Sequence, residues 1–344
     1  MKKIIAWYLP QFHCFPENDI NWGKGFTEWT LVNAAIPQYP NHRILKPHKD
    51  IGYYCLEDIA IRKLQGELAK QYGIYGFCYY HYWFSKPVMN KPLELMLLDG
   101  HPDISFCFSW ANEPWKKSMN GGDNSIILKQ NYGEQKDWEL HFQYLLNFFK
   151  HHNYIKINNK PLFVVYRVNE VSRYKEMFDY WRSRCKEERF NGMFITSTLG
   201  NFLTTDPHEE IADFVDAAVE FYPNFLGDKS KMFKQEDKRN FYNIDMVYDY
   251  IFDFPKYHDV QFKSILTNFD TSPRSCKRCN IFVGATPEKF GKGLSTQCKN
   301  SKEEFVFVNA WNEWSESAVL EPEEVYGYEY LNMVKIANKN IGFI

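Results

Sequence analysis

Two glutamates stand three residues apart in the segment Trp311-Asn312-Glu313-Trp314-Ser315-Glu316. Cleaving a glycosidic bond needs such a pair. One carboxyl is held protonated to assist the leaving oxygen, and the other is held ionised against the positive charge developing on the sugar ring. Carboxyls three apart on one turn can face the same pocket, and Trp311 and Trp314 beside them would desolvate one and raise its pKa. An acidic pair at a helix start is common by itself, because it complements the helix dipole. This pair differs in following the last apolar run of the chain and in having Trp and Asn neighbours. Sequence spacing does not give the distance between the carboxyls, so the stereochemical outcome is not read from it.

Comparable groups follow the earlier apolar runs: Gln11, His13, Glu28 and Trp29; Tyr80, His81 and Trp83; Trp110, Asn112 and Glu113; Tyr166 and Arg167; Glu220; and Asp270 and Arg274. Trp311 and Asn312 precede the glutamate pair itself. A sugar ring has an apolar C–H face that stacks on Trp or Tyr, and a rim of hydroxyls that needs amides, carboxylates, Arg and His. All of these residues except Arg274 are therefore expected to contact substrate, with Glu113 and Glu28 the next carboxylates after the pair. Trp115 and Trp314 are further expected ring platforms. His13 and His81 lack a third ligand at metal-binding spacing, so substrate hydrogen bonding is their expected role. Phe148, Phe149, Phe178 and Phe252 fall inside helical patterns and are expected in the core.

The elements that must carry these groups are eight short runs rich in Ile, Val, Phe or Tyr: Ile4–Leu9, Ile74–Tyr80, Ile104–Trp110, Leu162–Tyr166, Met193–Ser197, Val215–Phe221, Ser264–Phe269 and Phe305–Trp311. Consecutive apolar positions are the pattern of strands buried on both faces, hence of a parallel sheet. Helical patterns lie between them, over Leu56–Tyr72, Glu134–His152, Ser172–Glu187 and Tyr328–Asn338. Eight strands alternating with helices predict an α/β fold, a (β/α)8 TIM barrel with long βα loops, as one catalytic domain over residues 1–344. A doubly wound open sheet and a barrel missing a strand are the alternative folds, because the stretch from Phe225 to Tyr242 is long and irregular. The segment from Pro10 to Tyr54 is too long for a plain connector, and long loops of this kind are usually functional.

Composition narrows the ligand. The 344 residues include 29 Phe, 23 Tyr and 10 Trp, and 41 basic residues against 43 acidic ones give a net charge of −2. That balance excludes the basic footprint of a nucleic-acid partner. No run of about 18 apolar residues predicts membrane insertion. No GxSxG elbow, P-loop or strand-linked GxGxxG occurs, and no Asp-x-Asp grip for a sugar nucleotide. Cys78 and Cys107 are expected as buried thiols, and Cys276 and Cys279 form a CxxC without a second pair to complete a zinc site. No metal or cofactor is expected. A reducing, cytoplasmic setting is the expectation, or a periplasmic or secreted one if a leader has been removed. Oligomeric state is not read from the sequence.

Five ordered motifs resemble the WbsX-type family, which is related to glycoside hydrolase family 99. They are Tyr8-Leu9-Pro10-Gln11-Phe12-His13, Trp22 to Trp29, Gly76 to Phe84, Trp110-Ala111-Asn112-Glu113 and Trp311 to Glu316. The resemblance implies a (β/α)8 barrel and a bacterial protein linked to lipopolysaccharide or other surface polysaccharide, of a kind frequently labelled a glycosyltransferase. Family 99 hydrolases are endo-acting α-mannosidases with two catalytic glutamates three apart. By that likeness Glu313 would act as base on the substrate's 2-hydroxyl, which attacks the anomeric carbon, and Glu316 would be the acid and then the base that activates water. Ser315 and Ser317 stand where His and Gly are common in family 99, so mannose is not carried over. The leading expectation is a retaining glycoside hydrolase acting on a polysaccharide or oligosaccharide. The alternatives are a glycosyltransferase or transglycosylase of surface-polysaccharide assembly, and a non-catalytic carbohydrate-binding barrel.

Overall fold

A computed structural model describes residues 2–117, 125–200, 213–224, 233–275 and 278–340. Each of the eight apolar runs forms a strand of one sheet: β1 (Lys3–Tyr8), β2 (Ile74–Trp83), β3 (Ser105–Trp110), β4 (Lys160–Val165), β5 (Phe194–Leu199), β6 (Ala217–Glu220), β7 (Gln261–Leu266) and β8 (Phe305–Asn309). Neighbours in sequence are neighbours in the sheet, and every pairing between them is parallel. β1 also pairs with β8, from Lys3 opposite Phe305 to Ala6 opposite Val308, so the sheet closes into a barrel. The open-sheet and missing-strand alternatives are thereby excluded.

The aromatic excess fills this barrel. Trp7 on β1 lies with its ring centroid 5.0 Å from Phe221, 5.4 Å from Phe307 and 5.8 Å from Tyr80. One apolar core runs without interruption from Ile4 to Ala337 and includes Phe148, Phe149 and Phe178; Phe252 packs partly buried against it. Cys78 and Cys107, opposite one another on β2 and β3, are buried free thiols. Cys276 lies outside the described residues.

Outside the barrel lie α1 (Pro16–Trp22), α2 (Glu28–Ala34), α3 (Ile59–Tyr72), α4 (Lys91–Asp99), α5 (Gln135–Phe149), α6 (Tyr174–Glu187), α7 (Ile244–Phe252), α8 (Pro287–Asn300) and α9 (Glu329–Asn340). α3 starts where the Asp58 carboxylate accepts from the Ala60 N–H at 2.8 Å, and ends at Gly73 in the left-handed region. The long segment after β1 folds into α1 and α2, and α2 carries Glu28 to the end of β8. Part of the irregular stretch before Tyr242 falls within the described residues. Residues Phe233–Glu236 and Arg239–Asn243 pair as a hairpin, and Cys279–Val283 joins it in parallel, forming a small sheet beside the barrel. Among the described residues no helix is long and apolar enough to cross a membrane.

Candidate active site

Immediately beyond β8 the chain doubles back. Asn312 and Glu313 pair antiparallel with Val319 and Ala318, and Trp314–Glu316 form a 3-10 turn closed by Ser317 at a φ of 55°. This tight turn sets Glu313 and Glu316 on the wall of one cavity of about 640 Å3 at the C-terminal ends of the strands. That is the end of the barrel where active sites form. Gln11, Glu28, Tyr80, Glu113, Tyr166 and Arg167 line the same cavity.

Arg274 joins the carboxylates. Its Nη1 lies 2.5 Å from Glu316 Oε1, and its Nη2 is 3.6 Å from Glu313 Oε2 and 3.7 Å from Glu28 Oε2. Its Nε donates to Ser315 Oγ at 2.8 Å, and that hydroxyl donates in turn to Glu28. Burial opposes the guanidinium charge, but Glu316, Glu28 and Glu313 outweigh it and hold the arginine firmly ionised. Glu313 is pushed well above the usual carboxylate range, first by burial and then by the charge of Glu316, with Arg274 opposing. Its Oε2 is buried without a hydrogen-bond partner.

Across the cavity Arg167 contacts Glu113 and lies 2.6 Å from Glu170. Burial raises Glu113, against the pull of Arg167. Tyr80, Tyr82 and Tyr166 are raised mainly by burial, so their phenols stay protonated and can donate. The Tyr82 hydroxyl accepts from Gln11 Nε2 at 2.8 Å.

The structure places ten of the expected contact residues elsewhere, and with them the expected ring platform Trp314. β2 runs on to Trp83, so by alternation Tyr80 and Tyr82 face the cavity while His81 and Trp83 point to the outer layer. There His81 sits 2.8 Å from His141, and Trp83 stacks on His141 at 4.5 Å. Burial pushes both imidazoles well down, so they are neutral. Trp110 packs edge-on to His141 and Trp181. Trp29 donates its indole N–H to the Tyr54 carbonyl, and His13 is buried beside Phe15.

Asn312 and Asn112 are braces. The Asn312 amide accepts from the Leu9 N–H at 2.8 Å and donates to the Leu9 carbonyl at 3.0 Å. Asn112 does the same with the Arg167 backbone, at 2.8 Å each way. Each side chain therefore extends the sheet ladder past the strand end. Trp311 and Trp314 lie beneath the turn and give their indole N–H groups to Glu321. The raised Glu313 owes its shift to general burial and its carboxylate neighbours. Glu220 is enclosed between β6 and β7, 2.7 Å from Lys263 Nζ. Asp270 is held by His42 at 2.9 Å and by Ser272, and lines a separate crevice.

Trp115 lines the cavity, where a ring platform was expected; Tyr82, Arg274, Glu170 and Lys116 line it without having been assigned to substrate from sequence. Nothing in the local sequence signals that Arg274 reaches Glu316. Among the described residues no group of three or more His, Cys, Asp or Glu is arranged to hold a metal ion.

A closed parallel barrel with buried carboxylates and phenols around its strand ends defines a (β/α)8 protein. The chain belongs to the family described as Glycosyltransferase WbsX, whose match spans residues 4–334. Protein WxcX of Xanthomonas campestris pv. campestris is 30% identical in strain B100 and 31% in strain ATCC 33913, each over 97% of this chain. The chain spans about half of those relatives, 49% of their length. Among solved structures, a glycoside hydrolase-like protein matches with a TM-score of 0.63 at 13% identity, over 98% of this chain and 93% of that one. The GH99 endo-α-mannosidase from Bacteroides thetaiotaomicron matches with a TM-score of 0.60 at 12% identity, over 98% and 97%. At that identity the likeness is one of fold.

Proposed function

We propose that the protein cleaves a glycosidic bond within a polysaccharide or oligosaccharide, with Glu313 and Glu316 as the reacting pair. The observation that carries this reading is the shared cavity wall. Two carboxyls on one turn face the same space, one pushed toward its protonated form and the other in contact with Arg274. In the retaining scheme implied by the resemblance, one carboxyl takes the proton of the substrate's 2-hydroxyl as that oxygen attacks the anomeric carbon. The second gives a proton to the departing glycosidic oxygen as a three-membered ring closes between the 2-oxygen and the anomeric carbon. It then deprotonates a water that attacks the anomeric carbon and opens that small ring, while the first carboxyl returns its proton to the 2-oxygen. The resemblance gives the acid role to Glu316, whereas burial in the free protein favours the proton on Glu313. Leaving-group dependence decides between them: the variant lacking the acid still cleaves substrates with an activated leaving group, and the variant lacking the base does not.

The family description favours a second reading, glycosyl transfer in surface-polysaccharide assembly. The described cavity lining argues against a nucleotide donor. Glu28, Glu113, Glu170, Glu313 and Glu316 outnumber Lys116, Arg167 and Arg274, and both arginines are tied to carboxylates. A diphosphate would find repulsion there. The test is purified protein against bacterial O-antigens, mannans and rhamnose-rich glycans, with and without sugar nucleotides. New reducing ends without nucleotide support hydrolysis; turnover that requires a sugar nucleotide overturns it in favour of transfer.

A further inference from the structure

Beneath the catalytic turn lies a second, fully enclosed carboxyl, that of Glu321, with 2% exposure. Its Oε1 accepts from Trp311 Nε1 at 3.0 Å and from Gln65 Nε2 at 2.7 Å. Its Oε2 accepts from Trp314 Nε1 at 2.8 Å and from the Tyr54 hydroxyl at 2.7 Å. Four donors thus converge on two oxygens, as an ionised carboxylate requires. The two indoles belong to the residues that bracket Asn312-Glu313. The backbone completes the clamp, since the Glu321 N–H donates to the Trp311 carbonyl at 3.1 Å. Behind this shell, Gln65 Oε1 accepts from the Tyr8 hydroxyl at 2.6 Å, and Asn312 Nδ2 donates to the Tyr54 hydroxyl at 3.3 Å.

We propose that Glu321 is the positioning residue of the catalytic turn: its ionised carboxylate, gripping the indoles on either side, fixes where the Glu313 carboxyl sits. This rests on the proposed glycosidic chemistry of Glu313 and Glu316. Glu321 does not reach the cavity, so it acts only through the turn. Burying an ion is costly, and here four hydrogen bonds to the two oxygens offset that cost. Burial raises the carboxyl to about 7 against the pull of its four donors. A proton on either oxygen would meet a shell of groups already donating, one indole among the two on each oxygen, and would weaken their grip. The titratable groups facing it are Tyr54 and Tyr8, both raised first by burial and so neutral across this range. Arg62, which acts on Tyr8, is paired with Asp99 at 2.6 Å.

Activity and stability should therefore respond oppositely to this one group. The folded pKa lies above the ordinary value of 4.5, so its contribution to stability is full below about 4.5 and is lost as pH rises toward about 7. The ordered turn gains over the same interval. The experiment compares the full chain with Glu321→Gln and Glu321→Asp, each checked for native circular dichroism. For Glu321→Gln the expected result is a loss of kcat of roughly a hundredfold with KM little changed, as for a small displacement of a reacting group. Its kcat should also lack the wild-type component rising toward pH 7, and its stability should lose the matching fall. Unchanged kcat and pH profile in folded Glu321→Gln overturns the proposal.

A second readout needs no turnover, so it stands even if the glycan panel is not cleaved and the functional reading fails. In 5-fluorotryptophan-labelled wild-type protein, the Trp311 and Trp314 signals, assigned with Trp311→Phe and Trp314→Phe, should titrate together near pH 7. The backbone amides of Glu313 and Ser315 should follow, and neither set should move in the Glu321 variant. Indoles that do not titrate, or that titrate while the amides stay fixed, also overturn the proposal.

Discussion

At the scale of single residues, Arg274 carries the electrostatics of the site. It contacts Glu316 and stands within 3.7 Å of Glu28 and 3.6 Å of Glu313. Removing it leaves the buried carboxyls of Glu28 and Glu313 and the partly buried one of Glu316 without their shared cation, so Arg274→Gln should raise Glu313 further, since that charge now opposes the shift. The expected outcome is a lower kcat/KM and a pH–rate limb of Glu313 moved to higher pH; a limb that stays in place would show that Arg274 does not govern the pair. Glu316→Gln should cut kcat by about 10²–10⁴-fold, the usual worth of a positioned acid or base, while binding of an oligosaccharide measured by calorimetry is retained. Unchanged turnover would remove Glu316 from the chemistry.

At the scale of elements, the site depends on strand ends being fastened to each other. Asn312 ties the end of β8 to the end of β1 through both backbone groups of Leu9. Asn312→Ala leaves a buried N–H and C=O without partners, which should lower stability by about 2–4 kcal/mol in urea unfolding. A change below about 0.5 kcal/mol would mean the turn is held by its other contacts. Within the barrel wall, Gly76 on β2 lies where a Cβ would come within 2.5 Å of the Ser105 carbonyl oxygen on β3. Backbone cannot swing aside as a side chain can. Gly76→Ala should therefore cost about 1–3 kcal/mol or more, read as a lower urea midpoint with an unchanged slope.

At the scale of the whole molecule, buried ionisable groups set the pH dependence of stability. Burial holds His13 down at about 4, His81 lower still and His141 well below the ordinary 6.5. The unfolded chain binds their protons first as pH falls, so the stability they contribute above pH 6.5 is lost progressively below it. Glu313 and Glu321 work in the opposite sense, their folded pKa values lying above the ordinary 4.5. Between pH 4.5 and 6.5 the two sets oppose; below 4.5 the contribution of the carboxyls is full and no longer changes with pH. Urea midpoints should change gently across the upper interval and fall steeply below it. In Glu321→Gln one opposing group is gone, so the decline should be steeper between pH 6.5 and 4.5; an identical profile would contradict the assignment.

The sequence by itself determined the barrel. Strands buried on both faces must be continuously apolar, and that local pattern marked all eight, together with the position of the Glu313–Glu316 turn after the last of them. The five ordered motifs, matched along their own length, identified the family in the same way. Only the tertiary structure decided which of the polar and aromatic residues at the strand ends reach the cavity. A side chain that packs under a strand end and one that faces a ligand have the same residue type. Trp311 and Asn312 differ from Glu313 only by where the turn points them. His81 and Trp83 differ from Tyr80 and Tyr82 only by strand alternation. Arg274 and Glu321 were least legible, because each acts on the pair through space, from a segment whose own sequence carries no trace of the contact.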